Sequence, residues 1–121
     1  MSRILVVEDD PAILRGLTDN LTAESHQVLT ARDGEAGYRL ILEQQPDLVI
    51  LDLMLPDVHG YEVCKALRRL AGPWETPVLM LTAMSQPIDQ LRGFAHGADA
   101  YLTKPFDSSE LVQTVALLLG S

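Results

Sequence analysis

Cysteine is nearly absent from this chain. Cys64 is the only one in 121 residues, so no disulfide can close within it. That usage suits a reducing compartment, and a cytoplasmic location is expected. Cys64 falls in a helical pattern and is expected to be a small buried core thiol. Positive charge is also scarce: nine Lys and Arg face seventeen Asp and Glu, giving a net charge of −8. A nucleic-acid-binding surface needs a basic face, so no direct nucleic-acid contact is expected from this region. No apolar run reaches the roughly 18 residues of a membrane-spanning helix, and no membrane association is expected. The start, Met1-Ser2-Arg3, has neither the basic segment nor the apolar stretch of a secretory leader. Repeats, low-complexity tracts and linker-like stretches are missing too, so residues 1–121 are expected to form a single domain.

What the chain does contain is a series of short apolar runs tipped with polar residues. Leu48-Val49-Ile50-Leu51 shows no alternation, as in a strand buried on both faces, and ends on Asp52. Ile4-Leu5-Val6-Val7 ends on Glu8-Asp9-Asp10. Val78-Leu79-Met80-Leu81, opened by Pro77, ends on Thr82, and Ala100-Tyr101-Leu102-Thr103 ends on Lys104-Pro105. A further short strand is predicted over Gln27–Ala31.

Between these runs the apolar spacing turns helical. Asp10-Pro11 reads as an N-cap followed by proline in the first turn, with Ile13, Leu14, Leu17 and Leu21 behind it to about Ala23. Asp33-Gly34-Glu35 opens a helix carrying Ala36, Gly37, Leu40 and Ile41, stopped by Pro46-Asp47. Another helix starts near Gly60, with Val63, Cys64, Leu67 and Leu70. A connecting loop with a half-exposed Trp74 follows. Ser85 is placed to cap a helix containing Ile88, Leu91, Phe94 and Ala95, which Gly97 ends. Asp107 or Ser108 starts the last helix, with Leu111, Val112, Val115, Leu118 and Leu119. Strand and helix thus alternate five times, which predicts a doubly wound parallel sheet with helices on both faces.

In a parallel sheet the C-terminal strand ends lie on one edge, where open α/β folds bind ligands. Glu8, Asp9, Asp52, Thr82 and Lys104 are expected to converge there, with Asp10 serving as a helix cap. Crowded carboxylates repel, and a hard divalent cation such as Mg²⁺ relieves that repulsion. Lys104 cannot ligate a cation and suits an anion; Thr82 offers a hydroxyl. Such a group of side chains fits a phosphoryl group, with the Asp52 carboxylate as nucleophile.

These stretches, together with Leu51-Asp52-Leu53-Met54-Leu55-Pro56-Asp57 and Gly60, Met80-Leu81-Thr82-Ala83, and Gly97 to Phe106, resemble the receiver domain of two-component response regulators. The resemblance implies a flavodoxin-like (βα)5 sheet of order 2-1-3-4-5. It implies Asp52 as the phosphoacceptor, charged by a sensor histidine kinase or a histidine phosphotransfer domain. It implies Mg²⁺ (or Mn²⁺) on Asp9, Asp52 and the backbone carbonyl of Met54, with Glu8 acting through water. Lys104 and the backbone amide of Ala83 would hold the phosphoryl group, Lys104-Pro105 would be cis, Thr82 would move inward, and Tyr101 would follow it. The domain would be no enzyme beyond its own phosphorylation and dephosphorylation. It would be a switch whose fourth helix, fifth strand and fifth helix are read by a downstream protein or a fused output domain.

Three positions depart from the DNA-binding subclass of that family. Gln90, Ala100 and Thr114 stand where charged partners pair across a dimer, so a monomer or a weak phosphorylation-dependent dimer is expected. In that family the positions two residues past the phosphoacceptor and past the switch threonine help set how fast water reaches the phosphoryl group, so the resemblance implies, with Met54 and Met84 there, a long-lived phosphoaspartate. His59 is expected in solvent, and His26 and His96 carry no motif. Two other classes fit less well. An aspartyl-phosphate phosphatase would want an acid at Met54. A flavin carrier would want Ser, Thr and Gly after the first strand, where Glu8-Asp9-Asp10-Pro11 stands.

Overall fold

The structure is a computed structural model that describes residues 2–71, 76–83, 87–95 and 97–120. Trp74, Met84, Ser85 and His96 lie outside the described residues. Five strands and five helices alternate: β1 (Arg3–Val7), α1 (Pro11–Ala23), β2 (Gln27–Ala31), α2 (Gly34–Gln44), β3 (Leu48–Asp52), α3 (Gly60–Ala71), β4 (Val78–Thr82), α4 (Pro87–Ala95), β5 (Ala100–Thr103) and α5 (Ser108–Leu118). The strands are parallel in the order β2-β1-β3-β4-β5. Every residue of β3 and β4 is buried, which is why those runs carry no polar alternation.

The pleat sends successive side chains to opposite faces. Leu5, Val7, Val49, Leu51 and Met80 pack on one side with Val63, Cys64 and Leu67 of α3. Ile4, Val6, Ile50, Leu79 and Leu81 pack on the other with Leu17 and Leu21 of α1 and Leu111 and Val115 of α5. Each fully buried aliphatic side chain contributes about 1.5–3 kcal/mol, so the two faces together hold the central strands rigid.

The helix ends follow their local chemistry. Asp10 caps α1, accepting from Ala12 N at 2.9 Å and Ile13 N at 3.3 Å. Asp33 caps α2, and Asp107, not Ser108, caps α5. α2 ends at Gln44, with Gln45 in the left-handed conformation (φ 46°) ahead of Pro46. Gly97 (φ 102°) closes α4, donating to Phe94 O at 3.0 Å. α4 differs from the other helices: its stripe of Ile88, Leu91 and Phe94 faces solvent instead of the sheet. Among the described residues, no helix is long and apolar enough to cross a membrane.

Candidate functional site

The sheet register sets the site. Val7 pairs with Leu51, Asp52 with Leu81 and Thr82 with Thr103, so the residues just past β1, β3, β4 and β5 arrive at one level. Glu8 and Asp52 are 1% and 5% exposed, buried although charged. Carboxylate oxygens of Glu8, Asp9 and Asp52 all lie within 4.8 Å of one another. Asp10 is not among them, because its carboxylate is turned to the α1 cap.

Lys104 stands over this cluster. Its Nζ lies 2.6 Å from Glu8 Oε1 and 3.3 Å from Asp52 Oδ2. The turn that carries it is held by Lys104 N donating to Thr82 O at 2.7 Å, and the Lys104-Pro105 bond is cis. The other Asp52 oxygen, Oδ1, accepts from Met54 N at 3.3 Å. Glu8 Oε2 accepts from Asp10 N at 3.1 Å. Burial pushes the Glu8 carboxyl above its ordinary range, and the negative charge of Asp52 adds to that, against the pull of Lys104 and Asp10 N. For Lys104, burial favours the neutral amine, but the hydrogen bond to Glu8 and the charges of Asp52 and Glu8 outweigh it and raise its pKa. The ammonium is therefore retained at neutral pH.

Thr82 is buried at the end of β4 and Ala83, next to it, is exposed. Tyr101 is half-buried on β5, opposite Met80. Met54 is 59% exposed and lies in the loop after Asp52. Glu8, Asp9, Asp52 and Lys104 thus come together at one edge, and Thr82 ends the strand beside Asp52. His59 lies in solvent, its Nδ1 accepting from Tyr61 N at 3.3 Å. Cys64 is fully buried, and burial pushes its thiol up to about 11.

Three clustered carboxylates offer hard oxygen donors on one side of a pocket edge. That donor set fits a hard divalent cation, which would need the remaining ligands from water, backbone or substrate. A groove of about 520 Å³ adjoins the site and shares Lys104 with it, lined also by Ala12, Ile13, Gly16, Ala83, Pro105 and Phe106.

Two long-range contacts, one in the loop after Asp52 and one at the opposite, N-terminal edge of the sheet, carry no signature in the sequence. Asp57 reaches α2, and Arg68 of α3 fastens the start of β5: its guanidinium donates to Gly97 O, Thr76 O and Asp99 Oδ2 at 2.6–2.9 Å. Both pairings join residues more than 20 positions apart or cross loops, where local spacing carries no signal.

A doubly wound α/β sheet with an acidic pocket and one lysine at its C-terminal edge defines the class. Within that class the chain belongs to the response regulator receiver domain family, whose sequence profile matches residues 4–116. It is 50% identical over 119 residues to the DNA-binding dual master transcriptional regulator RpaA of Synechocystis sp., covering 98% of this chain and 49% of that protein. It is 41% identical over 119 residues to the transcriptional regulatory protein AfsQ1 of Streptomyces coelicolor, covering 98% and 52%. The chain therefore spans about half the length of these curated relatives. Among solved structures, a Francisella response regulator receiver domain superposes with a TM-score of 0.92 at 30% identity, covering 98% of this chain and 97% of that one. The BeF3-activated DrrB receiver domain superposes with a TM-score of 0.89 at 38% identity, covering 100% and 99%. The strand order that the family resemblance implies, 2-1-3-4-5, is the one found.

Proposed function

We propose that this domain is a phosphorylation-dependent switch in which Asp52 takes a phosphoryl group from a phosphohistidine on a sensor kinase or phosphotransfer domain. The observation that carries this reading is the convergence of Glu8, Asp9, Asp52 and Lys104 at one sheet edge. An Asp52 carboxylate oxygen forms a bond to phosphorus while the phosphorus–nitrogen bond of the donor breaks. The imidazole leaves with the electron pair. β3 holds Asp52 in place from both faces, so the nucleophile reacts without reorganising its backbone.

Asp9, Asp52 and the Met54 carbonyl would hold Mg²⁺ or Mn²⁺, with Glu8 acting through water. A bound cation supplies charge neutralisation at the phosphoryl oxygens. Lys104 moves its ammonium from the carboxylates to the new phosphoryl group. Thr82 offers its hydroxyl and Ala83 its amide to the same group. Added charge of about −1.5 to −2 at this edge biases a two-state equilibrium that Tyr101 follows. The face of α4, β5 and α5 then passes the state on, to a downstream protein or to a fused output domain of the kind the relatives' greater length suggests. The exposed Ile88, Leu91 and Phe94 support that face as the contact surface. The domain works in the cytoplasm, as a monomer or weak phosphorylation-dependent dimer, and its chemistry is confined to its own Asp52.

The test is intact mass after incubation with Mg²⁺ and acetyl phosphate. A gain of one phosphoryl group in the native chain, absent from Asp52→Asn, is expected. No gain, or a gain in both, refutes the proposal. A Thr82→Ala variant that is phosphorylated and still signals normally would refute the coupling step alone.

A further inference from the structure

The loop after Asp52 is fastened at two levels. At its base, Gly60 N donates to Leu53 O at 2.7 Å, and Met54 and His59 form an antiparallel bridge. At its tip, Asp57 reaches across to another element. Its Oδ1 accepts from Gly34 N at 2.8 Å and its Oδ2 from Glu35 N at 3.0 Å.

Those two donors sit where a helix needs outside help. The first N–H groups of a helix have no partner within it. In α2 the local cap, Asp33, serves Ala36 N through its side chain at 2.7 Å and Gly37 N through its carbonyl at 3.1 Å. Gly34 N and Glu35 N are left over, and Asp57 takes both from 22 and 23 residues away. The same Oδ1 also accepts from Val58 N at 3.0 Å, so the carboxylate ties the loop to itself as well. The fit is close: a Cβ on Gly34 would overlap Val58 Cγ2 and approach Asp57 Oδ1 to 3.3 Å. Upstream, the same loop touches the site, because Met54 N donates to Asp52 Oδ1.

We infer that Asp57 is a positioning residue for the cation site: by seating the loop on the N-terminus of α2, it steadies the Met54 backbone beside Asp52. The inference rests on the proposed reading that Glu8, Asp9, Asp52 and Met54 hold a divalent cation. Partners that orient ligands without touching the metal commonly govern affinity by about 10–100-fold. A cap with no bearing on the site would govern only the stability of α2.

The two roles separate by experiment on the intact chain. Mg²⁺ affinity is measured by calorimetry, and thermal stability without metal, for Asp57→Ala, Asp57→Asn and Asp33→Ala. Asp33→Ala removes the local cap of the same helix and leaves the loop attached. Asp57→Ala is expected to weaken Mg²⁺ binding about tenfold. Asp33→Ala should lower stability while keeping the affinity within about twofold of wild type. Asp57→Asn keeps one carbonyl oxygen for one of the two donors and should fall between; it also carries the test should Asp57→Ala not fold. Unchanged Mg²⁺ affinity in Asp57→Ala and Asp57→Asn overturns the inference. So does an equal loss in Asp33→Ala, which would make the effect one of general destabilisation. A native chain that binds no Mg²⁺ overturns the reading of the site itself, and this inference with it.

Discussion

Gly60→Ala changes one hydrogen into a methyl group at the place where α3 begins, directly behind Asp52. A Cβ there would lie 2.5 Å from the Asp52 carbonyl oxygen and 2.8 Å from Leu53 Cα. Ordinary contacts are about an ångström longer, and both neighbours are backbone, so no side chain can swing aside. The backbone of Asp52 is held in turn by β4, where it pairs with Leu81. The first turn of α3 must therefore lift away, straining the 2.7 Å hydrogen bond from Gly60 N to Leu53 O. Overpacking of this kind costs about 2–3 kcal/mol. With 121 residues and an unfolding entropy of roughly 2.1 cal/mol/K per residue, the midpoint should fall by roughly 8–12 °C. Gly16→Ala is the matched control. Gly16 lies inside α1, and a Cβ at that position would meet no atom within 4 Å, so alanine should stabilise by about 0.5–1 kcal/mol, or roughly 2–4 °C. The assay is thermal unfolding by circular dichroism in metal-free buffer. A Gly60→Ala midpoint within about 2 °C of the native protein would refute the claim that α3 is pinned against the Asp52 backbone.

Removing the Arg68 guanidinium by Arg68→Ala should destabilise by about 2–3 kcal/mol in urea unfolding, since Gly97 O, Thr76 O and Asp99 each lose a charged donor; Arg68→Lys should restore only part, because one ammonium cannot reproduce the planar fork. Cys64, fully buried with its thiol pushed up to about 11, should resist iodoacetamide at pH 8 in the folded protein and react once urea unfolds it; rapid labelling under native conditions would contradict its burial. The Asp57 carboxyl is held below its ordinary range, first by Gly34 N and then by Glu35 N. A depressed folded-state pKa adds stability above the unfolded value of 3.8, and this is lost as pH falls through the folded value. The stability difference between the native chain and Asp57→Asn should therefore be largest at neutral pH and shrink below pH 3.8; a difference that stays constant would contradict it.

Much of this protein is legible without coordinates, because its elements are local. Continuous apolar runs predict strands buried on both faces, and β3 and β4 are buried at every residue. Asp10-Pro11 and Asp33-Gly34 predict helix starts, and both caps are present. Even the site follows, because strands that all run in one direction bring Glu8, Asp52, Thr82 and Lys104 to one edge whatever the details of packing. α4 shows the limit. Its spacing correctly predicts a helix, yet the apolar stripe of Ile88, Leu91 and Phe94 turns outward, since periodicity gives a face and not its direction.

The tertiary structure alone decides which carboxylates meet. Glu8, Asp9 and Asp10 are consecutive, but the backbone leaves β1 so that Asp9 joins the cluster and Asp10 turns to cap α1. It decides as well that Lys104 sits closer to Glu8 than to Asp52, that Asp57 serves α2, and that Arg68 holds Gly97 and Asp99 from 29 and 31 positions away. The division has one physical cause. Propensity, capping and apolar period act over a few residues and are written along the chain. Contacts between distant loops exist only after the sheet has formed and the helices have settled on its two faces, and their geometry is set by how those layers pack.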